Sequence, residues 1–95
     1  MNKVKILWVD DQIDLLKSHI IFLNERNYHV DTCTNGNDSL EKISNIRYDV
    51  ILLDENMPGL SGIETLKRIK KIDRNLKVIM ITKSEEESIM EQAIG

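Results

Sequence analysis

Three continuous apolar runs in this chain each end in an oxygen-bearing residue. Ile6-Leu7-Trp8-Val9 leads into Asp10-Asp11, Val50-Ile51-Leu52-Leu53 into Asp54, and Val78-Ile79-Met80-Ile81 into Thr82. Short apolar runs separated by helix-like stretches read as buried parallel strands. In an open parallel sheet, residues just past the carboxyl ends of the strands line the ligand crevice. Three carboxylates and a hydroxyl are therefore expected to converge at one edge. That outlines a site for a hard cation and a phosphoryl group.

The segments between the runs support this layout. The first strand is expected over about Lys5 to Asp10. After Asp11, Ile13, Leu16, Ile20 and Leu23 step by three or four residues, the stripe of an amphipathic helix reaching to about Arg26, with Asn27 as its stop. Tyr28 to Cys33 alternates apolar and polar residues, which suggests a more exposed edge strand. Thr34-Asn35-Gly36-Asn37 is turn chemistry, and a second helix carries Leu40, Ile43 and Ile46 inward. The second buried strand spans Tyr48 to Leu53, and Asn56-Met57-Pro58-Gly59 reads as a flexible loop. Ser61 with Glu64 is a capping box, opening a helix with Ile63, Leu66, Ile69 and Ile72 toward the sheet. Leu76 to Thr82 is the third buried run. Ser84 with Glu87 is a second capping box, followed by an inner face of Ile89, Met90, Ala93 and Ile94.

Strict βαβαβαβα alternation predicts an α/β fold with a doubly wound parallel sheet. The edge character of the second strand puts it outside the first, giving the order 2-1-3-4. The switch point then falls between the first and third strands, where Asp10, Asp11 and Asp54 end.

Ninety-five residues make one small domain, hiding roughly 65% of the surface of its unfolded chain. A net charge of −3 gives no reason to expect direct binding to nucleic acid or an anionic membrane. The single Cys33 excludes an internal disulfide and a cysteine-rich zinc site. With no apolar leader and no run long enough to cross a bilayer, a cytoplasmic protein is expected.

Three carboxylates in one crevice repel: two unit charges ~4 Å apart interact by about 4 kcal/mol at an effective dielectric near 20. A cation, a proton or solvation must offset this. Oxygen-only donors favour Mg2+, which keeps several waters and often shares a phosphate. Calcium is disfavoured, because no segment spaces its acids as an EF-hand does. Asp54 on its central strand is the best nucleophile toward a phosphoryl donor, with the Met57-Pro58-Gly59 loop leaving room and Thr82 offering its hydroxyl to a phosphate oxygen. The plain alternative for any single acid is a solvated loop residue or a helix cap, as for Asp11.

The stretches ILWVDDQ, DVILLDENMPGLSG and VIMITKSEE resemble the receiver domain of two-component response regulators, in order and spacing, over the whole chain. The resemblance implies a CheY-like fold with Asp54 as phosphoacceptor for a sensor histidine kinase. It implies direct Mg2+ ligation by Asp11, Asp54 and the backbone carbonyl of Asn56, with Asp10 acting through water. Thr82 becomes the switch hydroxyl, and the backbone amide of Lys83 a phosphate contact. Receivers turn over no external metabolite, so no enzyme is expected. LWVDDQIDLLKSHI, TNGNDSLE and TKSEEESIMEQAIG further resemble the receivers of PorX-type regulators. That implies a C-terminal output domain related to the alkaline phosphatase superfamily, in the setting of type IX secretion.

Receivers usually continue through a fifth strand ending in a phosphate-pairing lysine, and then a helix. The 95-residue chain is expected to be a receiver truncated before that strand, with self-association or strand exchange through the open edge. Lys83 departs from the small residue usual after the switch hydroxyl. Two rivals from other classes remain. One is a phosphorylation-independent interaction module. The other is a haloacid-dehalogenase-type phosphohydrolase, in which Asn56 stands where a general acid is required.

Trp8, Cys33 and His19 read as structural, and Lys67, Arg68, Lys70 and Lys71 as a solvated helix face that an acidic partner could touch.

Overall fold

The computed structural model describes residues 3–82. The expectations for Lys83 and for the helix beginning at Ser84 fall outside them. Four strands, β1 (Val4–Val9), β2 (Tyr28–Cys33), β3 (Val50–Asp54) and β4 (Lys77–Ile81), pair in parallel in the order β2-β1-β3-β4. That is the expected doubly wound arrangement. The helices α1 (Lys17–Glu25), α2 (Gly36–Asn45) and α3 (Gly62–Ile72) link them.

Strand alternation divides the core. Leu7 and Val9 of β1 and Ile51 and Leu53 of β3 point to one face and pack with Cys33, Tyr48, Met57, Ile69 and Leu76. Leu40, Ile43 and Ile46, the predicted inner stripe of α2, close over this cluster. Ile6 and Trp8 point to the opposite face and are buried with Leu16. Trp8 meets His19 edge-on, with ring centroids 6.5 Å apart.

Three local expectations are corrected. The segment after Asp11 is not one helix: a 3-10 turn over Ile13–Leu16 precedes α1. Asp10 explains the tight start, because its Oδ1 accepts the Gln12 backbone N–H at 2.8 Å. This fixes the turn entry rather than an α-helical first turn. Asn27 does stop the helix, adopting a left-handed φ of 72°.

The buried stripe of α3 is rotated from the predicted one. Gly62, Thr65 and Ile69 are buried, while Ile63 and Ile72 are each 47% exposed. The reason lies at its first residue. Gly62 sits against the backbone following β3, and this contact sets the phase of the whole helix. Lastly, β4 is not uniformly buried: Ile79 is 48% exposed. It points to the face opposite the main core, which no described element covers at that edge.

Candidate functional site

The strand register delivers the acids to one place. Val9 lies opposite Leu53, so Asp10, the next residue, comes beside Asp54. The ladder carries on past both strand ends: Asp10 N–H donates to the Cys33 carbonyl at 3.0 Å, and Glu55 N–H to the Ile81 carbonyl at 2.9 Å. Thr82, half-buried, follows directly after Ile81 and so emerges at the same edge. Carboxylate oxygens of Asp10, Asp11 and Asp54 all lie within 4.8 Å of one another. The expected convergence is present in the geometry.

The three acids are not equivalent. Asp10 and Asp54 are buried, and Asp11 is exposed at the rim. Two acids turn their local backbone inward in the same way. Asp10 Oδ1 accepts from Gln12 N–H, and Asp54 Oδ1 accepts from Asn56 N–H at 3.1 Å. Each bond fixes one oxygen of its carboxylate. Asn56 itself is exposed, which leaves its segment accessible from the crevice.

The loop after Asp54 is more anchored than its proline and glycine suggest. Met57 is buried in the core cluster, and Gly59 takes a φ of +79°, a conformation that L side chains rarely adopt. Ser61 then caps α3, its side chain accepting from Glu64 N–H at 3.2 Å. The site is therefore framed by a pinned loop and a capped helix.

The donor set fits a hard divalent ion. Among the described residues, the clustered side-chain ligands are all carboxylates, with no imidazole or thiolate, which is the chemistry Mg2+ prefers.

A model of the response regulator receiver domain matches residues 6–95 of the chain. The chain belongs to the response regulator receiver family. Sporulation initiation phosphotransferase F of Bacillus subtilis is 42% identical over 84 residues, covering 86% of this chain and 66% of that protein. The chain spans only 34% and 36% of two transcriptional regulators it also matches, a CpxR homologue of Haemophilus influenzae and ResD of Bacillus subtilis. Among solved structures, the response regulator TrrA of Thermotoga maritima in complex with Mg2+-BeF shares 36% identity at a TM-score of 0.78, over 90% of this chain and 75% of that one. A chain from the complex of histidine kinase ThkA with TrrA matches at 27% identity and a TM-score of 0.76, over 96% and 95%.

Two features of this receiver escaped the sequence reading. One is the buried Thr65, whose hydroxyl donates to the Ser61 carbonyl at 2.7 Å. The other is a polar trio: on the outer strand His29 Nε2 lies 3.0 Å from Asp31 Oδ1, and Tyr48 Oη, from the segment before β3, donates to Asp31 Oδ2 at 2.7 Å. The period-two spacing of His29 and Asp31 was the available signal, since it sets both on one face.

Proposed function

We propose that this receiver accepts a phosphoryl group on Asp54 from a phosphorylated histidine of a sensor kinase. A carboxylate oxygen of Asp54 forms the new P–O bond as the P–N bond to the histidine breaks, and the released imidazole nitrogen takes up a proton. The observation that carries this reading is the trio of carboxylates, with Asp54 buried on a central strand and hydrogen-bonded through Oδ1 to the Asn56 amide. Asp11, Asp54 and the Asn56 carbonyl hold Mg2+ directly, and Asp10 holds it through water. When bound, the ion neutralises charge that builds on the transferring phosphoryl oxygens.

Asp10 serves a second purpose: being buried, it keeps the crevice negative enough to draw the cation. Thr82 donates its hydroxyl to a phosphate oxygen, and the Lys83 amide adds a further donor. The added charge of about −1.5 to −2 beside Asp54 draws Thr82 inward. That movement is the signal read by an output region. The protein modifies itself and turns over no external metabolite. The solved kinase–regulator complex supports a sensor kinase as partner, and the Mg2+-BeF complex of a relative supports the ion. The resemblance of LWVDDQIDLLKSHI, TNGNDSLE and TKSEEESIMEQAIG to PorX-type receivers is the ground for an output domain of the alkaline phosphatase superfamily.

Intact mass after incubation with acetyl phosphate and Mg2+ tests the reading. The unmutated chain is expected to gain one phosphoryl group, lost on adding a chelator, and Asp54→Asn to gain none. A gain that survives Asp54→Asn overturns the assignment.

A further inference from the structure

Gly62 opens α3 at a position where nearly any other residue would make a better helix, since glycine costs roughly 1 kcal/mol relative to alanine inside one. The packing explains the choice. A Cβ on Gly62 would overlap the carbonyl oxygen of Asp54, come within 2.7 Å of Glu55 Cα and within 2.9 Å of the Glu55 carbonyl oxygen. All three are backbone atoms, which cannot swing aside as a side chain tip can. Gly62 N–H also donates to the Glu55 carbonyl at 3.2 Å. The first turn of α3 is therefore seated directly on the backbone of Asp54 and Glu55.

That segment runs from Asp54 to Asn56, two residues assigned to the ion. Its course sets where the Asn56 backbone lies and, through the Asn56 N–H to Asp54 Oδ1 bond, holds the Asp54 carboxylate. The helix pressing on it is itself fixed. Ser61 caps it, the Thr65 hydroxyl ties back to Ser61, and Thr65 packs so tightly on Gly36 of α2 that a Cβ there would overlap its Oγ1.

We propose that Gly62 is a positioning residue for phosphoryl acceptance: by lacking a side chain, it lets α3 serve as a rigid backing that aims the Asp54 carboxylate and the Asn56 carbonyl together. This rests on the acceptor reading of Asp54. A backbone shift of a few tenths of an ångström toward the crevice is enough to misalign ligands to an ion that demands near-ideal octahedral geometry. Rate falls steeply with such misplacement even when the fold survives.

The test compares the unmutated chain with Gly62→Ala, Tyr48→Phe and Ser61→Ala. Mg2+ affinity is measured by calorimetry without any phosphoryl donor, the acetyl phosphate reaction rate at saturating Mg2+, and stability by urea unfolding. Gly62→Ala is expected to weaken Mg2+ binding about tenfold and to slow phosphorylation about tenfold even when Mg2+ saturates. Tyr48→Phe, which removes the bond to Asp31 on the outer strand, is expected to lose stability yet keep Mg2+ affinity within about twofold. Ser61→Ala adds no atom and loosens the first turn. It is expected to weaken Mg2+ binding two- to threefold, so it decides the matter if Gly62→Ala does not fold.

Equal losses of Mg2+ affinity in Gly62→Ala and Tyr48→Phe would reduce Gly62 to a packing residue and overturn the proposal. So would unmutated Mg2+ affinity in Gly62→Ala, or in Ser61→Ala where Gly62→Ala is unfolded. If the unmutated chain neither binds Mg2+ nor reacts, it is the acceptor reading that fails, and the positioning role falls with it.

Discussion

Asp31 lies on the outer strand, away from the acceptor, and its carboxylate has a resolved electrostatic signature. Burial pushes its pKa up, but the Tyr48 hydroxyl, the His29 ring and the charge of Lys42 together hold it below the usual carboxylate range. The same bond and burial push the Tyr48 hydroxyl up, burial being the larger cause. A carboxyl whose folded pKa is depressed adds stability above its unfolded value, about 3.9, and loses it as pH falls through the folded value. Tyr48→Phe removes a hydrogen bond to a charged acceptor, so a loss of about 1.5 kcal/mol is expected at pH 7. That loss should narrow as pH drops below about 4. Urea midpoints at pH 7 and pH 3 check this, and a pH-independent difference would show that the ring's packing, not the Asp31 bond, is what Tyr48 contributes.

At the scale of elements, the start of α3 is a place where sequence and structure agree closely. Ser61 was readable as a cap because its oxygen and Glu64 stand three residues apart ahead of an apolar stripe, and it does accept the Glu64 amide. Ser61→Ala should cost about 1 kcal/mol, seen as a lowered urea midpoint with an unchanged slope. A changed slope instead would mean that the denatured or native ensemble had been altered. The strands were equally legible, since continuous apolar runs admit few other readings.

The phase of α3 was not legible. Periodicity in Ile63, Leu66, Ile69 and Ile72 weighs apolar side chains only, and the face that wins contains a glycine and a threonine. Backbone-to-backbone contact at Gly62 outranks the burial of two isoleucines at the ends of the stripe. The glycine at the first helical position was the visible trace of that contact. Likewise the break between the 3-10 turn and α1 follows from one Asp10 hydrogen bond that spacing alone does not reveal.

For the whole molecule, the order of strands concentrates repulsion at one edge, and this couples stability to the ligand. Asp10, Asp11 and Asp54 crowd their oxygens within 4.8 Å, where each like-charge pair costs on the order of 3 to 4 kcal/mol before solvent screening. Part of what the sheet gains by burying Leu7, Val9, Ile51 and Leu53 is thus offset at the site those strands create. Two consequences follow from the same charges. Mg2+ binding only the folded state should raise stability by about 2.7 kcal/mol when present at about a hundred times its dissociation constant. Asp54→Asn, which removes one charge and keeps the shape, should melt higher than the unmutated chain without Mg2+ and lose most of the Mg2+-dependent gain. Thermal unfolding of both chains, with and without Mg2+, separates the possibilities. Were Asp54→Asn less stable without the ion, the Asp54 carboxylate would be held by hydrogen bonds that outweigh its neighbours' repulsion. The site would then be a satisfied polar network rather than a charge trap awaiting a cation. An unmutated melting point indifferent to Mg2+ would mean that groups other than a divalent ion offset the repulsion of the three acids.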